Sequence, residues 1–172
     1  MKNYIALLRG INVGGNNIIP MSKLKEMCIE LGFREARTYI QSGNILFKSK
    51  FSEHELIAML EKSLENEVGK HISVIIRSAN ELETVISKNP FSDSNPAQLA
   101  ITFYTQIVPE NLLKDFVNQG PEEIIVSGRE IYIHYPNGMG QSKLKLPKMQ
   151  EQGTVRNLNT IAKLVEMCGD ND

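Results

Sequence analysis

Apolar residues fall along this chain in short blocks, and their spacing alternates between that of strands and that of helices. Tyr4-Ile5-Ala6-Leu7-Leu8 is apolar at every position, which predicts a strand covered on both faces. Met21, Leu24, Cys28 and Leu31 then fall at helical spacing, with Met27 beside them. Pro20 suits the first turn of that helix and Gly32 its end. Residues 37–41 and 45–47 predict two strands around a tight turn, Ser42-Gly43-Asn44. Ser52 and Glu55 form a capping box. It opens a second helix through Leu56, Ile57, Leu60, Leu64 and Val68, closed by Gly69. Residues 72–76 predict a fourth strand.

That order, β-α-β-β-α-β, is the ferredoxin-like unit, and it ends near Arg77. Ser78 with Glu81 forms a further capping box before a short helix carrying Leu82, Val85 and Ile86. Residues 89–96 are polar and bounded by prolines, a joint between lobes. A strand at 99–104 follows. Pro109 then predicts a helix through Leu112, Leu113, Phe116 and Val117, which Gly120-Pro121 stops. Residues 123–126 and 130–135 form a hairpin around Ser127-Gly128. Leu158, Ile161, Ala162, Val165 and Cys168 mark a final helix.

The second series repeats β-α-β-β but shows no closing strand. A segment near 143–146 is one source for it; a merging of the two sheets is the other. The expected architecture is α+β: two ferredoxin-like halves, residues 1–78 and 79–172, packed closely together. The second half, which carries the C-terminal helix, is incomplete or intertwined. Two separated domains joined by 89–96 are the alternative, and the doubly apolar first strand argues against them.

Composition narrows the functional classes. A chain of 172 residues buries about 70% of its unfolded surface and needs no disulfide or metal to fold. Its net charge of −1 supplies no overall attraction to nucleic acid or anionic lipid, so such binding requires a local basic patch. Cys28 and Cys168 lie on apolar helix faces outside any metal-ligand spacing, and read as core residues in a reducing compartment. No apolar run approaches 18 residues, so no membrane span is expected. The chain opens directly on a strand pattern, and the expected location is cytoplasmic.

Candidate chemistry gathers where topology predicts it. A right-handed crossover makes the first two strands parallel. The end of the first strand therefore shares a sheet edge with the 42–44 turn and the start of the fourth strand. That edge collects Arg9, Asn12, the Gly14-Gly15-Asn16-Asn17 loop, Gln41, Ser42, Asn44, Lys70 and His71. The set is rich in donors, holds no carboxylate, and suits a phosphate, a carboxylate or a nucleic-acid backbone. The plainer reading is that Arg9 and the amides satisfy loop carbonyls.

Three segments carry a family resemblance: residues 4–15, residues 38–44, and Thr154-Val155-Arg156-Asn157-Leu158-Asn159-Thr160. Together, in this order, they resemble the domain of unknown function 1697 family over nearly the whole chain. The third departs from the family pattern, with Leu158 where a tryptophan is usual. The resemblance implies interlocked ferredoxin-like halves and supplies no activity.

Other chemistry is thinly represented. His54, His71 and His134 are scattered, and no G-x-S-x-G or H-E-x-x-H occurs. Only His71 falls on the rim, where Ser42 is its one candidate nucleophile partner. Glu122-Glu123 and Asp93 lie on turns and read as solvated. The basic loop 136–143 is not a Walker sequence. It reads as a solvated connection, or as an arm closing on an anionic ligand. Tyr4 and Phe47 lie on central strands, as aromatics do in RNA-binding sheets, but the apolarity of both strand faces argues that they are covered.

The expected function is binding of an anionic small molecule at the rim. Arg9 is the charge partner and Gly14-Gly15 the cradle. Asn12, Gln41, Ser42 and Asn44 orient the ligand, and Arg156 completes the site from the last helix. An enzyme acting on a phosphorylated substrate is the alternative, followed by a nucleic-acid-binding or purely structural module. No cofactor motif and no metal site are evident.

Overall fold

The structure, a computed structural model, describes residues 1–41, 43–149 and 152–169. It divides into two compact units. One comprises Met1–Glu83 with Leu164–Asp172, and the other Thr84–Lys163. The division falls inside two helices, so the last helix contributes its end to the first unit.

The first unit builds the expected order: β1 (Lys2–Leu8), α1 (Met21–Glu30), β2 (Arg34–Tyr39), β3 (Asn44–Ser49), α2 (Glu53–Val68) and β4 (Val74–Ser78). Its sheet runs β2-β3-β1-β4, all antiparallel. Tyr4, Ala6 and Leu8 share a core with Ile45, Phe47 and Ile76, and with Leu24, Met27 and Cys28 of α1 and Leu56, Leu60 and Leu64 of α2. On the other face Ile5, Leu7, Leu46, Ile75 and Arg77 are equally inaccessible, as the unbroken apolarity of β1 predicts. Tyr4 and Phe47 belong to the helix-packed face, where Phe47 stacks on Phe33 at 4.4 Å. Neither offers a ring to a base.

Local chemistry sets the helix ends. Ser52 and Glu55 form the capping box at α2, whose last turn closes on Gly69 in the left-handed conformation. Ser78 and Glu81 start α3 (Ala79–Ser87) through Ser78 N to Glu81 Oε2 at 2.7 Å and Glu81 N to Ser78 Oγ at 3.2 Å. Arg37 of β2 donates through Nη2 to the carbonyl of Met167 near the end of α4 (Leu158–Gly169). A guanidinium suits a helix C-terminus, and this contact ties that end of α4 to the first unit.

The second unit holds β5 (Leu99–Phe103), β6 (Glu123–Ser127), β7 (Glu130–His134) and β8 (Thr154–Asn157) in the order β6-β7-β5-β8. The strand order matches that of the first sheet. Two expectations are corrected here. The closing strand exists and is β8, not a segment at 143–146. The helix expected after Pro109 is only a 3-10 turn, Glu110–Asp115. Of its apolar residues, Leu112 and Phe116 pack on the sheet, while Leu113 and Val117 are exposed. No α-helix lies between β7 and β8 among the described residues. Leu144, Leu146 and Met149, from irregular chain, pack against Ala100, Ile131 and Ile133 instead.

No helix among the described residues is long and apolar enough to cross a membrane. Cys28 and Cys168 are both buried thiols.

Candidate functional site

The end of β1 is where chain segments distant in sequence are tied together. Leu8 N donates to Gly43 O at 2.8 Å and Arg9 N to Ser73 O at 3.0 Å. One strand end thus holds the β2–β3 turn on one side and the approach to β4 on the other. The rim expected from topology is therefore present in the first unit.

Its loop is a small hairpin. Val13 bridges Asn16, with Asn16 N on Val13 O at 3.0 Å. Gly14 and Gly15 between them have φ of +59° and +76°, the left-handed pair that a type I′ turn demands. The two glycines are exposed at its tip. They do not open α1, which begins at Met21 without a side-chain cap.

Asn12 organises the loop. Its Nδ2 donates to Ile19 O and to Gln41 O, both at 3.0 Å, and its Oδ1 accepts from Ile19 N at 2.8 Å. Both amide protons and the carbonyl are committed internally, so Asn12 shapes the rim rather than facing a ligand. Asn44 is fully buried and donates to Tyr39 O at 3.0 Å, so it too is a scaffold residue. Ser42, expected as an orienting donor, lies outside the described residues. Gln41 is exposed.

Arg9 is exposed, and among the described residues its guanidinium has no hydrogen-bond or ion-pair partner. It is not the loop-carbonyl clamp of the plainer reading. Asn17 Nδ2 performs such a task, donating to Gly10 O at 3.1 Å.

The expectation of a rim without carboxylates is corrected. Glu61 of α2 reaches the start of β4, where its Oε1 accepts from Val74 N at 3.1 Å and lies 3.9 Å from His71 Nε2. Ser73 Oγ lies 3.4 Å from the same nitrogen. A nucleophile–base–carboxylate relay uses both ring nitrogens. Here both contacts fall on Nε2, so the cluster is not a triad.

Two features escaped the sequence reading. Ile40 has φ of +50°, a genuine outlier for a β-branched residue. Val13, Ile18 and Ile40 are 61%, 69% and 49% exposed, so the same loops present apolar side chains to solvent. The exposed isoleucines could be suspected only once a loop, and not a strand, was assigned to them.

Arg156 is corrected in position. It lies on β8 in the second unit, opposite Ile101, and not on the last helix. Its Nη1 donates to Val155 O at 2.9 Å, and burial pulls its pKa down to about 10, still charged at neutral pH. Glu122, read as a solvated turn residue, is 7% exposed.

A cavity of about 700 Å³ lies at the other end of β1, lined by Lys2, Tyr4, Ser52, Glu53, Ser78 and Glu81 among others. Tyr4 donates to Phe51 O at 3.1 Å, while Ser52 and Ser78 serve as caps. These groups already have structural tasks.

Comparison with known proteins gives the following. The family model described as protein of unknown function (DUF1697) matches residues 1–132. Among solved structures, the chain is similar to the conserved bacterial protein SP0830 from Streptococcus pneumoniae. Identity is 26% and the TM-score 0.78, over 97% of this chain and 98% of that one. No curated protein matches.

Proposed function

The chain belongs to the DUF1697 family of proteins of unknown function, and on that premise we propose that it binds a ligand bearing a phosphate or carboxylate at the end of β1. Arg9 is the charge partner, and Gly14, Gly15 and Gln41 supply further donors. Asn12 and Asn44 hold these groups in place. The observation that carries this reading is the exposed Arg9 guanidinium, without a partner among the described residues, beside a loop whose own polar groups fix its shape. A strained residue such as Ile40 persists where surrounding structure holds it, and such strain clusters at ligand sites. Val13, Ile18 and Ile40 give an apolar remainder of the ligand somewhere to rest.

The test is a titration with inorganic phosphate and with adenosine monophosphate, followed by amide chemical shifts. Shifts should concentrate at residues 9–17 and 41–43. Arg9→Ala should weaken binding by roughly 10- to 100-fold, the scale of a charge-assisted hydrogen bond, and leave the melting temperature unchanged. Asn12→Ala should do the reverse on stability, lowering it by about 2–3 kcal/mol for three lost hydrogen bonds. If Arg9→Ala binds as the wild type does, or melts lower without any ligand effect, the rim is scaffold and the proposal fails.

A further inference from the structure

The second unit carries a small polar pocket of opposite character. A cavity of about 330 Å³ is lined by Pro121, Glu122, Tyr135, Asn137, Gly138, Gln141 and Ser142. That volume is at the low end of the range for small-ligand sites.

Its walls are fixed by hydrogen bonds. Tyr135 N donates to Gln98 O at 2.8 Å, and Gln98 Nε2 to Pro136 O at 3.0 Å. Gly138 N returns to Tyr135 O at 3.0 Å. Ser142 Oγ accepts from Leu144 N at 3.1 Å and donates to Glu122 Oε1. Glu122 Oε2 accepts from Gly120 N at 2.7 Å. The loop that resembled a solvated basic connection is thus anchored, and a serine within it fastens it to a buried carboxylate.

Two side chains in this pocket offer polar atoms to a ligand. Glu122 is 7% exposed and Tyr135 6%. Three donors already face the Glu122 carboxylate, the Ser142 hydroxyl and the backbone N–H groups of Gly120 and of Glu122 itself, which leaves it room for one more. Tyr135 is more than nine-tenths buried and lines the cavity, yet its hydroxyl has no hydrogen-bond partner among the described residues. The hydroxyl is not one of the buried, unpartnered polar atoms of the described residues, so it opens on the cavity.

We infer that this pocket binds a small primary-ammonium ligand, with the cation on Glu122 and the hydroxyl of Tyr135 completing its coordination. Charge selects the class. Among the described residues that line the pocket, Glu122 is the charged one, and a carboxylate favours a cation that also donates hydrogen bonds. Asn137 and Gln141, exposed at the mouth, suit a polar remainder such as a hydroxyl. Hydrogen bonds, from the Ser142 hydroxyl above all, hold the Glu122 carboxyl below its ordinary range, and burial raises the Tyr135 phenol. Both groups therefore keep their binding forms, carboxylate and phenol, at neutral pH.

The experiment titrates the full chain with ethanolamine and putrescine, using glucose and tetramethylammonium as controls, and follows the Tyr135, Asn137 and Gln141 resonances. The amines should shift them. Glucose lacks the charge and tetramethylammonium lacks the N–H donors, so neither should. Glu122→Gln should abolish the response. Tyr135→Phe should weaken it about ten- to a hundredfold, the measure of a hydrogen bond from a charged donor. It should leave the fold intact, because that hydroxyl bonds none of the described residues. Absence of any response to the amines, an equal response to glucose, or amine binding that survives in both variants overturns the inference.

Discussion

Gly43 is the position where loop and sheet come closest, and replacing it by alanine tests how tightly the rim is built. A Cβ added there would lie 2.7 and 2.8 Å from Cδ1 and Cγ1 of Ile11, and 2.9 Å from Cβ of Leu8. Neither neighbour has room to yield. Leu8 and Ile11 are fully buried, and the Leu8 backbone is bonded to Gly43 itself and to β4. Gly43 also has φ of +83°, which costs an L-residue about 1–2 kcal/mol. Overpacking of a filled site adds about 1–3 kcal/mol, so Gly43→Ala should lose about 2–5 kcal/mol altogether. Gly69→Ala is the control. Gly69 has nearly the same backbone, φ +75°, with nothing within 4 Å of its added Cβ, so it carries the conformational cost alone. Urea unfolding should show the Gly43→Ala midpoint well below that of Gly69→Ala, with the same slope. Equal losses in the two variants would mean that the 42–44 turn moves freely away from β1, and the rim would not be a rigid site.

Two further outcomes follow from burial and charge. Burial pushes the Cys28 thiol up to about 12 and raises Cys168 as well; a disulfide reagent near pH 8 should therefore titrate neither thiol in the native chain and both in denaturant, whereas fast native labelling would contradict their placement. The Glu122 carboxyl is held below the ordinary glutamate value of 4.5, so its contribution to stability is present above that value and fades as pH falls through the lowered one. The difference in melting temperature between wild type and Glu122→Gln should shrink on acidification, and a difference that grows would reverse the assigned sign.

Regular elements of the first unit could be read from the sequence because their signals are local. Capping boxes, Gly69 and the alternation of apolar runs each act within a few residues, and the sheet order follows from them by the handedness of the crossovers. β8 was not readable. Thr154–Asn157 passes into α4 without an intervening turn residue, and four residues are too few to show a period. Co-location of the rim segments was legible because strand direction alone decides it. The tasks of its amides were not. Asn12 is bonded to Ile19 and Gln41, and only the folded chain shows which donors such bonds leave over. Arg9 was legible as a candidate for the opposite reason, since a guanidinium after a buried strand must either find a partner or face water.

The two sheets share a strand order but are covered differently, and this difference explains where the second pocket lies. In the first unit α1 and α2 satisfy their own backbone groups, so the sheet is covered by side chains alone. In the second unit a 3-10 turn and irregular chain take that place. Irregular cover must find partners for its own amides and carbonyls. Val117 and Lys145 pair with each other at 2.9 and 3.1 Å, while Gly120 N turns to the Glu122 carboxylate. Chain held by such bonds cannot close as tightly as a helix laid on a sheet, and its remaining polar groups line whatever space is left. A carboxylate and a phenol beside an open volume are what such a cover produces, so a small polar pocket belongs with the irregular cover of the second unit, not with the helix-packed core of the first.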